Sequence, residues 1–410
     1  MHPKDLSIRD YDYFLPPEKI ASFPLEERDQ SKLLIYKNGT ITSDIYLNLA
    51  RHLPSETFLV FNNTRVIKAR ILFRKSSGAA IEIFCLEPDE NVNDYAAVLH
   101  KKETVRWKCM IGGAGKWKQK YLEKNIIING VTIKLTAQLV EKLSDAYIAE
   151  LSWNPGEYSF AEIIEHAGET PLPPYIKRKA EESDAERYQT IYSLHPGSVA
   201  APTAGLHFTK KIFRSLQEKN IEKGFVTLHV SAGTFKPVKS ATMETHEMQA
   251  EWMDVSAHFI EQLIKNISRG VFCVGTTSVR TVESLYWMGV KAMLHPHDQI
   301  ENLEIKQWEV YTEEMIKHAI RPEEALNSLL VFLRNKKTGS LLATTRIMIA
   351  PGYQFRIVKG MITNFHQPKS TLLLLVAAMA GEKWKAIYEY ALKNNFRFLS
   401  YGDGCLVYCE

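Results

Sequence analysis

The spacing of apolar residues changes near residue 67 and again near residue 155, and the changes predict two kinds of structure. Between these points, short β-prone runs at 81–85, 96–99 and 125–135 are separated by turn sequences. Asn129-Gly130, between two apolar runs, is a strong hairpin signal. Short strands at this spacing are typical of a small β-barrel or sandwich.

Helical patterns alternate with short buried strands in the rest of the chain. Strands are expected at 57–61 and 271–274, and helices at 160–166, 210–219, 257–267 and 281–288. This alternation indicates a sheet layered with helices. We therefore predict an α/β fold with two parts, which are a larger three-layer α/β domain (1–66 and 155–410) and a small β-barrel domain inserted at 67–154.

Composition restricts the class of protein more than its function. The 410 residues are 45% hydrophobic and 24% charged, which excludes a disordered or low-complexity chain. The longest apolar run, 372–380, is too short to cross a membrane, and no apolar signal segment opens the chain. Five scattered cysteines argue against a disulfide framework, so we expect a cytoplasmic protein. The net charge of +4 permits a nucleic-acid partner without requiring one.

Residues 197–209, GSVAAPTAGLHFT, form the most unusual segment of the sequence. Small side chains allow another surface to approach the backbone closely. Ser198, Thr203 and His207 add polar groups among them. The segment is therefore either a tight loop that packs two elements together or a loop that contacts a ligand.

Two later stretches carry histidines and carboxylates. His229 lies in an apolar strand pattern before a turn at 231–234, and it is either a core residue or a direct participant in function. Glu247 and Glu251 share a face if this stretch is helical; otherwise they are solvated charges. His246 and Glu247 are isolated from other metal-binding residues, so we predict no metal site.

Residues 271–280 follow the pattern of a buried strand, a Gly275-Thr-Thr-Ser turn and the start of a helix. Free N–H groups and hydroxyls at a helix start suit a carboxylate or a phosphate. Thr276, Thr277 and Ser278 are therefore candidate ligand contacts. The alternative is an ordinary helix start with Ser278 as its N-cap.

Two segments near the end of the sequence place polar residues beside regular elements. Asn364 and His366 lie in a loop before the apolar run 372–380, for which Ser370 is the expected helix cap. Asp403 is expected at the end of a strand, which is where α/β sheets bind ligands.

Residues 171–178 combine prolines, aromatic residues and cations. Such a rigid, positively charged segment suits contact with a nucleic-acid backbone or stacking on a base. The candidate RNA contacts are Tyr175, Lys177 and Arg178. A solvated charged face is the open alternative.

Taken in order, these segments resemble the S-adenosylmethionine:tRNA ribosyltransferase-isomerases of queuosine biosynthesis. The matches span nearly the whole chain, and several exceed eight residues. They are DYFLP at Asp12, PLEERD at Pro24, LVFNNTRV at Leu59, PLPPYI at Pro171, RYQTIY at Arg187, GSVAAPTAGLHFT at Gly197, LHVSAGTF at Leu228, GTTSVR at Gly275, TNFHQPKSTLL at Thr363 and FLSYGD at Phe398. The resemblance implies an α/β domain with an inserted β-barrel.

Two positions depart from the family pattern. Asn63 stands where the family usually has the aspartate of NDTR, and Gln249 stands where it usually has the histidine of MH[SA]E. Each replacement removes a group that can carry a proton. We therefore expect a divergent but active member.

The resemblance implies a reaction in which the ribosyl part of S-adenosylmethionine is transferred to 7-aminomethyl-7-deazaguanine in tRNA and isomerised. The product is epoxyqueuosine, and adenine and methionine are released. S-adenosylmethionine is then a consumed co-substrate, tRNA is the partner, and no cofactor is expected. We also expect a monomer that does not bind membranes.

The implied chemistry needs a base, which favours histidine or a partly buried carboxylate. The candidate bases are His207 and His229, followed by His366 and Glu251. The expected contacts to the methionine carboxylate are Thr276, Thr277, Ser278 and Arg280. Asp403 is expected to pair with the ammonium or a ribose hydroxyl. The other candidate substrate contacts are Arg65, Ser198, Thr203 and Asn364.

Two other functions remain open from the sequence. One is a related nucleoside-transfer enzyme for another purine or another RNA, which the changes at Asn63 and Gln249 would favour. The other is a non-catalytic RNA-binding paralogue. The main interpretation requires that the loops at 197–209, 228–234 and 275–280 converge on one pocket.

Overall fold

The computed structural model describes residues 2–75, 77–89, 95–231, 238 and 242–409. Its strands, in chain order, are β1 (Lys32–Lys37), β2 (Thr40–Ile45), β3 (Phe58–Asn62), β4 (Thr64–Val66), β5 (Arg70–Arg74), β6 (Ala80–Pro88), β7 (Thr104–Gly112), β8 (Tyr121–Ile128), β9 (Val131–Lys142), β10 (Tyr147–Asn154), β11 (Gly168–Glu169), β12 (His195–Ser198), β13 (Glu222–His229), β14 (Glu251–Ser256), β15 (Val271–Val274), β16 (Ser340–Thr345), β17 (Val358–Asn364) and β18 (Gly404–Tyr408). Its α-helices are α1 (Leu49–His52), α2 (Tyr95–Leu99), α3 (Phe160–Ala167), α4 (Asp184–Arg187), α5 (Lys210–Glu218), α6 (Ala257–Asn266), α7 (Thr276–Leu294), α8 (Glu313–Lys317), α9 (Pro322–Asn335), α10 (Thr371–Ala380) and α11 (Trp384–Lys393).

A nine-stranded mixed sheet forms the centre of the larger part of the molecule. Its strand order is β16-β14-β13-β3-β15-β17-β18-β1-β2. The four strands β13, β3, β15 and β17 run parallel to one another. Their carboxyl ends therefore meet at one edge of the sheet, which is the edge where α/β sheets bind ligands.

Helices cover both faces of this sheet, and its central strands β3 and β15 therefore bury every residue. On β3, Phe58 and Val60 pack in a core with α6, α7, α9, α10 and α11. Leu59 and Phe61 point to the opposite face and pack with α1 and α5. Full burial of such side chains contributes about 1.5–3 kcal/mol each. The prediction of an α/β fold with helices on both faces of a sheet is confirmed.

A buried carboxylate ties helix α7 to the start of strand β17. Glu283 is fully buried, and burial raises the pKa of its carboxyl group. It accepts hydrogen bonds from the backbone N–H groups of Arg356, Ile357 and Val358 and from the Tyr353 hydroxyl. This contact fixes α7 relative to β17, and both elements border the candidate site.

The second large sheet has seven antiparallel strands in the order β11-β5-β6-β7-β10-β9-β8. Asn129 and Gly130 join β8 to β9 with positive φ angles of 50° and 83°, as the hairpin prediction required. The sheet curls until β8 contacts β5, but these strands are not paired in the described part of the chain. The result is a curled half-barrel, so the prediction of a small β-barrel is confirmed in part, as a curled antiparallel sheet.

The buried cluster of the half-barrel runs from Ile67 through Phe160 to Ala167 and also includes Val199. Helix α3 and strand β11 therefore pack with this sheet although they follow residue 154 in the chain. The division into domains at residues 67 and 154 stays a prediction.

Candidate functional site

A cleft opens where the parallel strands of the nine-stranded sheet end. We call it the α7 cleft; it encloses about 650 Å³, counting the part open to solvent. Its lining residues are Tyr175, Ala200, Ala201, Pro202, Thr203, Ala204, Val230, Gly275, Thr276, Thr277, Thr363, Asn364, Phe365, His366, Gln367, Ser370, Leu372, Leu399 and Ser400.

The three sequence segments expected to converge do so in their described part. Residues 200–204, Val230 and 275–277 all line the α7 cleft. Residues 232–234 of the second segment lie outside the described residues. The convergence is a consequence of the parallel strands, since each segment follows or faces a carboxyl end at the same sheet edge.

Helix α7 begins directly at the cleft. Gly275 adopts a φ of 88° and acts as the N-cap, so the chain passes from β15 into the helix without a longer loop. The first N–H groups of the helix have no acceptor within it and carry its positive dipole end. Thr276 and Thr277 line the cleft beside these groups.

Ser278 has a different position from the one predicted. It is the third residue of α7, not its N-cap, because the helix starts three residues earlier than the spacing of apolar residues indicated. Its buried hydroxyl donates to the carbonyl of Val274 at 2.8 Å. Ser278 does not line the α7 cleft.

Asn364 connects two of the predicted residues at the carboxyl end of β17. Its Oδ1 accepts a hydrogen bond from Thr203 Oγ1 at 2.8 Å, and its Nδ2 lies 3.3 Å from His207 Nε2. His207 is buried behind this pair and stacks on Tyr46 at 4.3 Å between ring centroids. Burial lowers the pKa of His207 to about 3, so the imidazole is neutral near pH 7.

His366 is the candidate base that borders the α7 cleft. It is 8% exposed, and its Nε2 lies 2.9 Å from Thr363 Oγ1. Its backbone N–H donates to Tyr388, and its carbonyl accepts from Tyr13. Burial lowers the pKa of His366 to about 3. The side chain is therefore held in one orientation and is unprotonated near pH 7.

Arg280 and Glu251 lie in a second pocket, which we call the Arg280 pocket. It encloses about 700 Å³, counting its open part, and shares the lining residue Leu372 with the α7 cleft. The Arg280 guanidinium forms an ion pair with Glu251, and both side chains are buried. Glu251 begins strand β14 and Glu247 precedes it in a non-helical segment, so the two do not share a helix face.

Besides His207 and Ser278, four predicted catalytic or substrate residues line neither the α7 cleft nor the Arg280 pocket. His229 has its Nδ1 3.0 Å from Thr64 Oγ1 and stacks on Tyr95 of the half-barrel at 4.8 Å. Ser198 is fully buried, and its hydroxyl donates to Ala200 and accepts from the N–H of Val230. These two residues connect elements that surround the cleft.

Arg65 and Asp403 also have other partners. Arg65 is exposed and lies on a separate groove with Glu165 and Leu194. The Asp403 carboxylate accepts from the backbone N–H groups of Lys32 and Arg397, at 2.9 and 2.7 Å. Asp403 precedes strand β18 and does not end a strand, so that part of the prediction is wrong.

The three candidate RNA contacts differ from one another. Tyr175 lines the α7 cleft, and its hydroxyl lies 2.6 Å from Ser400 Oγ. Lys177 is exposed. Arg178 forms two hydrogen bonds with the carboxylate of Asp184, at 2.6 and 2.8 Å, and lies over the ring of Phe23. Arg178 therefore stabilises the fold of this segment.

The two departures from the family pattern lie in different places. The Asn63 Oδ1 accepts a hydrogen bond from Thr227 at 2.8 Å, which joins β3 to β13 away from both cavities. Gln249 lines the Arg280 pocket, where its Oε1 accepts from Ser231 at 2.9 Å. Only the second change alters the lining of a cavity.

Sequence reasoning overlooked Asn62. This residue is fully buried at the carboxyl end of β3, and its Nδ2 donates to the carbonyl of Leu228 at 2.9 Å and lies 3.4 Å from Thr277 Oγ1. It thus ties three segments of the cleft together. A buried amide directly after an apolar strand was the available signal.

The fold and the cleft define an α/β protein with a candidate ligand cleft at the carboxyl edge of its sheet. Residues 8–407 match the family model described as "Queuosine biosynthesis protein". The S-adenosylmethionine:tRNA ribosyltransferase-isomerase of Carboxydothermus hydrogenoformans is 35% identical over 98% of this chain and 100% of that protein. The enzyme of the same name from Parasynechococcus marenigrum is 36% identical over 98% of this chain and 94% of that protein.

The chain therefore belongs to the queuosine biosynthesis protein family, and the resemblance noted in the sequence is confirmed. A crystal structure of the S-adenosylmethionine tRNA ribosyltransferase from Thermotoga maritima is also similar, with 25% identity and a TM-score of 0.44. The similarity covers 97% of this chain and 99% of that one. No helix in the described part of this chain is both long and apolar enough to cross a membrane.

Proposed function

We propose that this protein is an S-adenosylmethionine:tRNA ribosyltransferase-isomerase. It transfers and isomerises the ribosyl moiety of S-adenosylmethionine onto 7-aminomethyl-7-deazaguanine in tRNA, giving epoxyqueuosine with release of adenine and methionine. The observation that carries the proposal is the match of nearly the whole chain to relatives with this activity. S-adenosylmethionine is a consumed co-substrate, and the proposal includes no cofactor or metal. We also propose that the protein is a monomer and that it acts in the cytoplasm.

The reaction requires a site that binds a nucleoside and moves a proton. The sulfonium acidifies the protons on the ribose 5′-carbon. When a base removes one, the electron pair opens the C4′–O4′ bond, and O4′ becomes the oxygen of an aldehyde at C1′ as adenine leaves with a proton. The RNA amine adds to C4′, the 5′-carbanion closes on the aldehyde carbon, and the resulting alkoxide displaces methionine from C5′ to form the epoxide. The α7 cleft has the mixture of apolar and polar lining groups that suits the nucleoside. Its polar contacts are Thr203, Asn364, Thr276 and Thr277.

We assign the base role to His366. Of the three candidate histidines it is the one that borders the α7 cleft, whereas His207 lies behind Asn364 and His229 packs on the half-barrel. A base works best with a pKa near the ambient pH, so the burial that lowers the pKa of His366 to about 3 does not itself favour the role. The assignment rests on the position of His366 at the cleft. His207 is assigned to hold Asn364 in place, as a positioning residue.

Incubation with S-adenosylmethionine and tRNA that carries 7-aminomethyl-7-deazaguanine tests the proposed function. We expect adenine and methionine to be released in equal amounts while the base is converted to epoxyqueuosine. Release with a different acceptor only would support a nucleoside-transfer enzyme for another purine or RNA. Binding of tRNA without turnover would support a non-catalytic RNA-binding paralogue.

The exposed segment around Lys177 is our proposed tRNA contact, since it lies next to Tyr175 at the cleft. Neutralising Lys177 with alanine should weaken tRNA binding and reduce the slope of log affinity against log salt by about 1. Fluorescence anisotropy across a salt series measures both quantities. Lys337 is the matched control, because it is also an exposed lysine and lies outside the cleft.

An unchanged salt slope in Lys177→Ala would contradict this contact. Arg178→Ala should behave differently, since its guanidinium is paired with Asp184. We expect it to lower the melting temperature of the protein, which distinguishes a structural arginine from an RNA contact.

A further inference from the structure

The Arg280 pocket contains a buried guanidinium that the fold does not fully satisfy. Arg280 is 6% exposed; its Nη1 pairs with Glu251 and its Nε donates to the carbonyl of Ile347 at 3.3 Å. Its Nη2 has no hydrogen-bond partner among the described residues. A buried charged donor without an acceptor destabilises the fold unless a ligand supplies one. The pocket is thus suited to an acceptor group such as a carboxylate.

The charges around the pocket restrict the ligand further. Among the described lining residues, Glu247 and Glu251 stand against one permanent cation, Arg280, and burial lowers the pKa of His246 so that it adds little positive charge. A simple anion such as phosphate would face a net charge of the same sign. A ligand with one carboxylate and a compensating cation fits better.

The shape of the pocket suits a short flexible chain. Ile347, Ile349 and Leu375 provide apolar walls, and Leu372 borders both this pocket and the α7 cleft. Arg280 follows Thr277 by three residues on α7, so its backbone lies about 4.5 Å further along the helix axis. The first turns of one helix thus run from the α7 cleft to the Arg280 pocket.

We propose that the Arg280 pocket binds the amino-acid end of S-adenosylmethionine. The carboxylate accepts from Arg280 Nη2, the ammonium faces Glu247 and Glu251, and the nucleoside stays in the α7 cleft. This inference rests on the proposed function and refines it, because it separates Arg280 from Thr276 and Thr277 as contacts. The methionine product then leaves from a pocket of its own.

The first test compares two ligands on two proteins by isothermal titration calorimetry. Decarboxylated S-adenosylmethionine, which lacks the carboxylate, should bind the wild-type protein roughly 10- to 100-fold more weakly, the range of a charge-assisted hydrogen bond. Arg280→Gln should weaken the binding of S-adenosylmethionine by a similar factor. It should leave the affinity for the decarboxylated ligand within about twofold of the wild-type value. Arg321→Gln is the matched control, since Arg321 is exposed and pairs with Glu324 on the surface.

Equal effects of Arg280→Gln on both ligands would overturn the inference, as would equal binding of both ligands to the wild-type protein. Since Arg280→Gln breaks the buried ion pair with Glu251, a second variant covers loss of folding. Thr371→Trp fills the Arg280 pocket from a half-buried position that does not line the α7 cleft. This variant should weaken the binding of S-adenosylmethionine at least tenfold. It should leave the affinity for 5′-methylthioadenosine, which lacks the amino acid, unchanged.

Equal weakening of the binding of both nucleosides, or of neither, in Thr371→Trp would also overturn the inference. Thr136→Trp is the control, because Thr136 is a half-buried threonine of the half-barrel outside both cavities. Failure of the proposed function would look different. In that case the wild-type protein would release no adenine from S-adenosylmethionine with the precursor tRNA.

Discussion

His366→Ala should lower turnover by at least about 10²-fold, the usual contribution of a general base. The side chain borders the α7 cleft, is held by Thr363, and is unprotonated near pH 7 because burial lowers its pKa to about 3. Single-turnover release of adenine measures the effect on the chemical step. Calorimetry with S-adenosylmethionine should show binding within a few-fold of the wild-type value.

His207→Ala and His229→Ala are the comparison variants. His207 acts through Asn364 and His229 packs on Tyr95, so we expect each to lower turnover less than His366→Ala. Near-wild-type turnover in His366→Ala, or a larger loss in His229→Ala, would contradict the assignment of the base.

The protein should lose stability steeply as the pH falls from 6.5 toward 4. His207 and His366 have folded-state pKa values of about 3, below the unfolded value of 6.5, so the unfolded chain binds more protons in this window. The free energy of unfolding then falls by up to about 1.4 kcal/mol per pH unit for each histidine. Urea unfolding at pH 7.5, 6.0 and 5.0 measures the slope.

A pair of glutamine variants isolates the contribution of one histidine. His366→Gln removes one group that must stay unprotonated in the folded protein. The slope of its unfolding free energy against pH should therefore correspond to the uptake of about one proton fewer than in the wild type. His297 is exposed, and His297→Gln should keep the wild-type slope. Identical slopes in all three proteins would show that protonation of His366 does not drive acid unfolding.

Local sequence patterns were sufficient to predict most elements of the fold. Ser370 caps helix α10 as predicted, by accepting from the N–H of Leu373 at 3.2 Å. The Asn129-Gly130 turn joins β8 to β9, also as predicted. Both signals act over a few residues, where backbone geometry and hydrogen bonding determine the outcome.

Local patterns did not reveal the partners of side chains that pair across long stretches of sequence. Asp403 looked like a ligand contact, but its oxygens accept from the N–H groups of Lys32 and Arg397. Arg178 looked like an RNA contact, but Asp184 and Phe23 hold it. No spacing rule reveals such partners, because the long-range packing of the chain determines which polar groups meet.

The candidate site contains both features that local sequence patterns predict and features that depend on long-range packing. The Gly275-Thr276-Thr277 turn was predicted from a local pattern and lines the cleft. The separation of Arg280 from the α7 cleft was not predictable, since it depends on where β14 and Ile347 pack against α7. Sequence reasoning therefore identified the segments of the site better than the grouping of its side chains.

Strand β18 lies between β17 and β1. Among the described residues, β18 is therefore the one strand that connects the β1–β2 hairpin to the rest of the sheet. During synthesis this hairpin leaves the ribosome long before residues 404–408. At a synthesis rate of about 5–20 residues per second, the interval is on the order of 20–70 seconds. Throughout that interval the nascent chain exposes the unpaired backbone edge of β1. The α7 cleft, which shares the sheet, is therefore completed only after residue 408 has been translated.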